Sequence, residues 1–309
     1  MKKSLLVVAL STFGMVGFAQ TFVSTSPENR NVVLEEFTGI YCTFCPDGHL
    51  RAQQLKDANP GDVVLVNSHS GGYAEPSGND PDFRTPFGSA LANQSGLCGY
   101  PAGTVNREYF AGYSQTDNSG NPCGVEAIAQ SRGSWQTTGG QVLTQASPVN
   151  VAGQATLDLS TGKLTVVVEA YYTGNAVNPT NKLTVAVLQN NVNGPQTGSS
   201  ANPSQVLPDG SYNHNHMLRH FMTGQWGANV TPTTTGSFFT DTYVWDVPVD
   251  INGVPLDLNN LEVVVYIAEG NKDVITGSDV ELSVISPNAY DAVAAGIDVP
   301  DFVCESEIA

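Results

Sequence analysis

The spacing of apolar residues divides the chain into two textures. Between residue 31 and about residue 132, short continuous apolar runs alternate with segments compatible with helix. Residues 31–37 (NVVLEEF) and 62–68 (DVVLVNS) read as buried strands, because a strand covered on both faces needs no polar alternation. Residues 46–58 read as a helix, with Pro46 in its first turn, where no backbone N–H is required. Residues 82–93 predict another helix, 102–109 (AGTVNREY) a third strand and 125–135 a last helix. Strands alternating with helices predict an α/β region around a partly parallel sheet.

From about Pro148 the period shortens to two. Residues 163–173 (KLTVVVEAYYT), 182–190 (KLTVAVLQN), 237–247 (SFFTDTYVWDV) and 261–269 (LEVVVYIAE) are β-rich, and turn clusters such as STGK and DING separate them. Successive strands without helices predict an antiparallel, Ig-like β-sandwich, with the polar loop 191–213 inside it. The expected class is therefore α/β plus all-β. Its boundaries fall at 28–145 for the first domain and 146–290 for the sandwich, with 291–309 a linker or the start of a further domain.

The N-terminus changes where these domains are expected to work. Lys2 and Lys3 precede a mainly apolar run from Leu5 to Phe18 that closes on the small residues Gly17 and Ala19. That is the pattern of a secretory signal peptide over residues 1–19, and the run is too short and too interrupted for a membrane anchor. No later stretch is long and apolar enough to span a bilayer as a helix, so no integral span is expected after signal cleavage. The sequence carries 12 basic against 29 acidic residues, a formal net charge of −17. Such a chain repels phosphate backbones and anionic lipid, which argues against nucleic acid as a partner. The acidity also admits Ca²⁺ in loops such as residues 77–82 (SGNDPD), although that loop matches no regular calcium motif.

Chemistry concentrates in residues 35–50, EEFTGIYCTFCPDGHL, where Cys42 and Cys45 are separated by Thr43 and Phe44. Two thiols at this spacing can cycle between dithiol and disulfide, share a metal or staple a turn. The pair stands where a strand hands over to a helix, whose N-terminal N–H groups and dipole stabilise a thiolate at the first cysteine. A disulfide three residues wide favours reversible chemistry over stapling. Zinc needs four ligands, and only His49 lies near in sequence without a second CxxC, so no metal is expected.

The segment VVLEEFTGIYCTFCP resembles the first strand and active-site turn of thioredoxin-fold proteins. Glu36-Phe37 stands six residues before Cys42, where thioredoxins keep a buried carboxylate followed by an aromatic. Residues 99–107 (GYPAGTVNR) put Pro101 just before a strand, like the cis-proline loop of that fold. Tyr41 replaces the usual tryptophan, and Thr43-Phe44 is not the thioredoxin dipeptide. EEFTG…CxxCP, GYPxGxxNR and a sandwich containing HNHxLR together resemble a thioredoxin-like, outer-membrane-associated group of Gram-negative bacteria, the Omp-related surface protein family.

That resemblance implies a thioredoxin-like first domain and export to the periplasm, the outer membrane or the cell surface. Its partners would be thiols or disulfides of other exported proteins, together with outer-membrane or surface partners. The working group would be the Cys42–Cys45 disulfide itself, with no other cofactor. Cys42 would attack, Cys45 would resolve the mixed disulfide, and Glu36 would accept the Cys45 proton, with Glu35 as the alternative inward acid. Tyr100, Pro101 and Tyr41 would line an edge for substrate peptide. The expected function is a thiol–disulfide oxidoreductase; the rival is a surface binding or adhesion module that retains the fold without turnover.

Three cysteines remain. Cys98 and Cys123 are expected to form a structural disulfide in an oxidising compartment, contributing about 3–4 kcal/mol by loop entropy; the sharper alternative makes Cys98 a third redox thiol facing Cys42. Cys304 has no partner by count, which suggests a fragment with a further domain. Residues 213–221 (NHNHMLRHF) would place His214, His216 and His220 on one face of a strand. The expected role there is hydrogen bonding in a partly buried strand.

Overall fold

The computed structural model describes residues 22–286. The signal-peptide expectation for 1–19 and those for 291–309 and Cys304 lie outside them. The first part runs β1 (Val32–Thr38), α1 (Cys45–Ala58), β2 (Val63–His69), α2 (Gly88–Ser95), β3 (Ala102–Val105), β4 (Gln130–Ser131) and α3 (Trp135–Val142). Strands β1 and β2 pair in parallel and are buried along their whole length, as their unbroken apolar runs predict. Strand β3 lies antiparallel to β1 on its other side, and β4 antiparallel to β3.

Helix α1 starts one residue before Pro46, with Asp47 in its first turn and Lys56 in its last, both matched to the helix dipole. Two helix expectations shift. Residues 82–87 are not helical, because Pro86 disfavours helix in the residue before it; α2 then runs to a left-handed Gly96. The helix expected over 125–135 is instead a turn, the short β4 and the start of α3, with Glu126 at φ 49°. Strand β3 stops at Val105, since Asn106 and Arg107 both adopt positive φ.

The second part is made of β5 (Val149–Asp158), β6 (Lys163–Tyr172), β7 (Asn181–Gln189), β8 (Val192–Gly194), β9 (Tyr212–His214), β10 (Met217–Phe221), β11 (Ala228–Val230) and β12 (Phe238–Asp246). After these come β13 (Asp250–Ile251), β14 (Val254–Pro255), β15 (Leu261–Ala268) and β16 (Val274–Ile285). The molecule is thus mixed α/β, mostly strand, with three α-helices among the described residues, all before residue 143.

Eleven strands form one hydrogen-bonded path, β12-β6-β5-β16-β15-β7-β10-β2-β1-β3-β4, with β11 paired to β7 beside it, while β8–β9 and β13–β14 form separate two-stranded sheets. Two joints make it continuous. Strand β10 meets β2 in parallel at Met217 and Asn67, fastening the second part to the first. Strand β16 pairs with β15 through its first half and in parallel with β5 through its second. Val151, Leu157, Leu164 and Val166 of β5 and β6 thereby share one buried core with Val185, Val187, Val263 and Val265 of β7 and β15. A second core, with Trp135, Leu55 and Leu34, holds α1 and α3 against β1.

Between β8 and β9 the chain makes a long excursion, residues 195–211, with short 3₁₀ turns at Ser199–Ala201 and Pro203–Gln205. This excursion carries the second part onto the cysteine turn.

Candidate functional site

Cys42 and Cys45 are joined by a disulfide, their Cα atoms 5.4 Å apart. Cys45 opens α1; Cys42 sits three residues earlier, in a turn closed by Cys42 N–H to Gly39 O at 3.0 Å and Cys45 N–H to Cys42 O at 3.3 Å. The turn therefore lies at the positive end of the helix dipole. Its rim carries an exposed aromatic, Phe44, with the guanidinium of Arg132 5.5 Å from the ring centre. Asp47 is paired with Arg51 at 2.8 Å and with Arg132, and these bonds hold its carboxyl below the usual range. Its charge is thereby offset near the thiols.

The two neighbouring acids of β1 have separate fates, as alternation along a strand requires. Glu35 accepts from Nε and Nη2 of Arg107, both at 2.6 Å, and from the hydroxyl of Tyr266 at 3.1 Å. Glu36 points the other way, toward α1, is fully buried, and neither carboxyl oxygen has a hydrogen-bond partner in the protein. Burial pushes its carboxyl well above the usual range, against a weaker pull from Arg132. Gly48 leaves the space for it: a Cβ there would stand 2.5 Å from Glu36 Oε1 and 3.0 Å from Pro101 Cγ. Pro101 follows a cis peptide bond from Tyr100. Glu36, Gly48 and Pro101 thus meet on the first turn of the helix that begins at Cys45.

The predicted rim residues divide. Tyr100 is half-buried, its ring 5.7 Å from exposed Tyr73 and its hydroxyl 3.3 Å from Ser70 Oγ. Tyr41 is committed elsewhere: its hydroxyl donates to Asp80 at 2.5 Å and accepts the Ser77 N–H, anchoring the 77–80 loop. Cys98 and Cys123 are bonded to each other, their Cα atoms 5.8 Å apart. Among the described residues no group of three or more His, Cys, Asp or Glu side chains is arranged to hold a metal ion.

Contrary to an open cysteine turn, Cys42 is only 2% exposed and Cys45 is fully buried. The 195–211 excursion covers them. Gln196 donates from Nε2 to Cys42 O at 3.0 Å and to Gly39 O at 3.2 Å, and Thr197 N–H bonds Ile40 O at 2.8 Å. Gly198, at φ 72°, lies flush on the Thr43 carbonyl, where no side chain fits. None of these residues carries a sequence signal beyond a polar loop.

The histidine stretch also departs from expectation. His216 adopts φ 52° and breaks it into β9 and β10, so the three histidines do not share one face. His214 turns inward, its ring 5.3 Å from His69, 6.4 Å from His49 and 5.0 Å from Tyr212. His216 bonds Glu262 at 2.8 Å, and His220 stacks on Trp245 at 4.5 Å. His49, on α1, places Nδ1 2.9 Å from the Tyr212 hydroxyl and Nε2 2.9 Å from Thr38 Oγ1 and 3.8 Å from Glu36 Oε1. Burial lowers His49 to about 3 and His214 to about 4, and lowers His69 well below the ordinary value. Burial thus disfavours the charged form of Glu36 as well as that of His49.

The model of the outer membrane protein Omp28 family matches residues 88–286. The structure of HBP35 of Porphyromonas gingivalis is similar over 82% of this chain and 76% of its own, with a TM-score of 0.57 at 19% identity, a likeness of fold. A domain of the outer membrane lipoprotein Omp28 from Porphyromonas gingivalis aligns over 45% of this chain and 90% of its own, at 15% identity and a TM-score of 0.30. No curated protein matches the chain.

Proposed function

The chain belongs to the Omp28 outer membrane protein family, and on that premise we propose that it is an exported thiol–disulfide oxidoreductase acting on other exported proteins. Membership associates the protein with the outer membrane, in keeping with the signal-peptide pattern. Among the described residues, no helix is long and apolar enough to cross a membrane. One observation carries the reading: the buried, unbonded carboxyl of Glu36 lies against the first turn of the helix that opens at Cys45. A carboxyl with a raised pKa is a better match to a thiol than a solvated one, so it suits proton exchange with Cys45.

Three features support a thioredoxin-like reading of residues 28–145. The sheet order is β2-β1-β3-β4, β1 and β2 are parallel, and helices follow β1, β2 and β4. The shared core of β5–β6 with β7–β15 supports an Ig-like sandwich for the second part. In this mechanism Cys42 attacks a partner disulfide, since the helix dipole favours its thiolate. Cys45 then attacks Cys42 Sγ and releases the partner, with Glu36 taking its proton. Phe44, Tyr73 and Tyr100 offer the partner an aromatic rim.

Cys45→Ser should trap mixed disulfides with envelope proteins, because the intermediate forms and cannot be resolved. Cys42→Ser should trap almost none. The burial of Cys42 beneath Gln196 favours a second reading, a binding or adhesion module that keeps a bonded cysteine pair without turnover. That reading wins if Cys45→Ser captures nothing and the native protein neither reduces nor oxidises a test disulfide.

A further inference from the structure

We propose that His49 and Tyr212 form a proton relay joining the buried carboxyl of Glu36 to solvent at His216, a positioning role that rests on the oxidoreductase reading. Glu36 is fully buried, so any proton it takes from Cys45 needs a route out. Two consecutive contacts and a cavity supply one. Glu36 Oε1 stands 3.8 Å from His49 Nε2, beyond hydrogen-bond reach, and this link tightens for the transfer. His49 Nδ1 lies 2.9 Å from the Tyr212 hydroxyl, which also accepts Asn202 Nδ2 at 3.1 Å. Beyond them is a polar cavity of about 30 Å³ lined by His49, Gln53, Asn202, Tyr212 and His216. It has room for a water and enough polar partners to hold one. His216, bonded to Gln53 at 3.3 Å and Glu262 at 2.8 Å, is 13% exposed at its side chain and closes the route at the surface.

In the mixed disulfide, the Cys45 thiol gives its proton to the Glu36 carboxylate, and its sulfur forms a bond to Cys42 Sγ. The bond from Cys42 to the partner breaks, and the partner sulfur leaves with the electron pair as a thiolate, later protonated by water. The cysteine pair is oxidised by two electrons and the partner disulfide is reduced. Glu36 then passes its proton to His49 Nε2, His49 passes the Nδ1 proton to Tyr212, and Tyr212 passes its own to the cavity. With Nδ1 protonated, Nε2 is the acceptor and takes the Thr38 hydroxyl 2.9 Å away, a bond that the proton from Glu36 replaces as it arrives. The reverse sequence returns a proton to Glu36 when the disulfide is reduced again. Two of the links come from distant parts of the chain, His49 and Tyr212 being 163 residues apart.

Infrared spectroscopy reads Glu36 directly. The protonated-carboxyl band assigned with Glu36→Gln should shift on transfer to D₂O as fast as mixing allows. Tyr212→Phe, which keeps the ring, and His49→Gln should each slow that shift by about a hundredfold. Both should also slow partner release from the mixed disulfide while leaving capture by Cys42 unchanged. Imidazole should restore the exchange in His49→Ala. Native exchange rates in both Tyr212→Phe and His49→Gln would overturn the relay, whatever the turnover. Turnover in the native protein with native release rates in both variants removes the relay and leaves the oxidoreductase standing. A native protein without turnover removes the oxidoreductase, and with it the relay's part in it.

Discussion

Gly48 and Glu36 fit together with no room to spare: the first atom of any side chain at 48 would lie 2.5 Å from a carboxyl oxygen that has no other partner. Gly48→Ala should therefore displace Glu36, Pro101 or α1, at a cost of about 1–3 kcal/mol for overpacking a tight site. Thermal unfolding should show the loss. If disulfide exchange depends on Glu36, release of a trapped partner should slow in the same variant. An unchanged midpoint would mean that the carboxyl has space elsewhere.

Gln196 holds the cover over the cysteine turn by donating to Cys42 O and Gly39 O. Gln196→Ala removes both bonds, worth about 1 kcal/mol each, and leaves the fold's cores untouched. After mild reduction, alkylation of Cys42 should accelerate by roughly thirtyfold, since about 2 kcal/mol of lost closure is about that factor in opening. Equal alkylation rates would show that the cover is held by the Gly198 contact instead.

Arg107 and Glu35 are both buried and meet through two 2.6 Å bonds, with Tyr266 completing the acid's shell. Arg107→Ala would strand a buried carboxylate and should cost about 3–5 kcal/mol. Replacing both residues with apolar ones should recover much of that, because no charge is then left unpaired. Denaturant midpoints of the single and double variants check this. Both residues lie in the first part, and Arg107 reaches the second by donating to the Tyr266 hydroxyl at 3.0 Å and to Asn271 O at 3.3 Å, so losing Arg107 should destabilise both parts together.

Buried histidines make the protein acid-sensitive in a defined window. His49 and His214 are held neutral to about 3 and about 4, against an ordinary value of 6.5 in the unfolded chain, and His69 shifts the same way. Between those limits the unfolded chain binds more protons, so stability is full above pH 6.5 and falls as pH drops toward 4. Each histidine contributes at most about 1.4 kcal/mol per pH unit. Glu36 has the opposite sign, its raised carboxyl adding stability at low pH that fades as pH rises above 4.5. One acid does not offset three histidines. Melting curves of the native protein and of His214→Phe, a ring suited to neighbours Phe83 and Tyr212, should converge as pH falls from 6.5 to 4.5.

What lies close in sequence is legible from the residues alone. Valine and leucine runs determine β1 and β2, the switch to period two marks the β-rich part, and the CxxC with Pro46 places a disulfide turn at a helix start. These are local signals, because burial on one or both faces stamps a period on neighbouring residues. The separation of Glu35 from Glu36 is not legible in this way: alternation says they face opposite ways but not which faces the thiols. Arg107 on one side and the space at Gly48 on the other decide it. Nor does periodicity show that Gln196 covers Cys42, 154 residues away, or that Tyr212 reaches His49. Such contacts depend on where β10 joins β2 and how the 195–211 excursion returns, and they need only one well-placed donor, acceptor or glycine each. A single residue leaves no repeat in a sequence, so the chain determined the elements and the cysteine turn, and the tertiary fold decided what covers that turn and what stands beneath it.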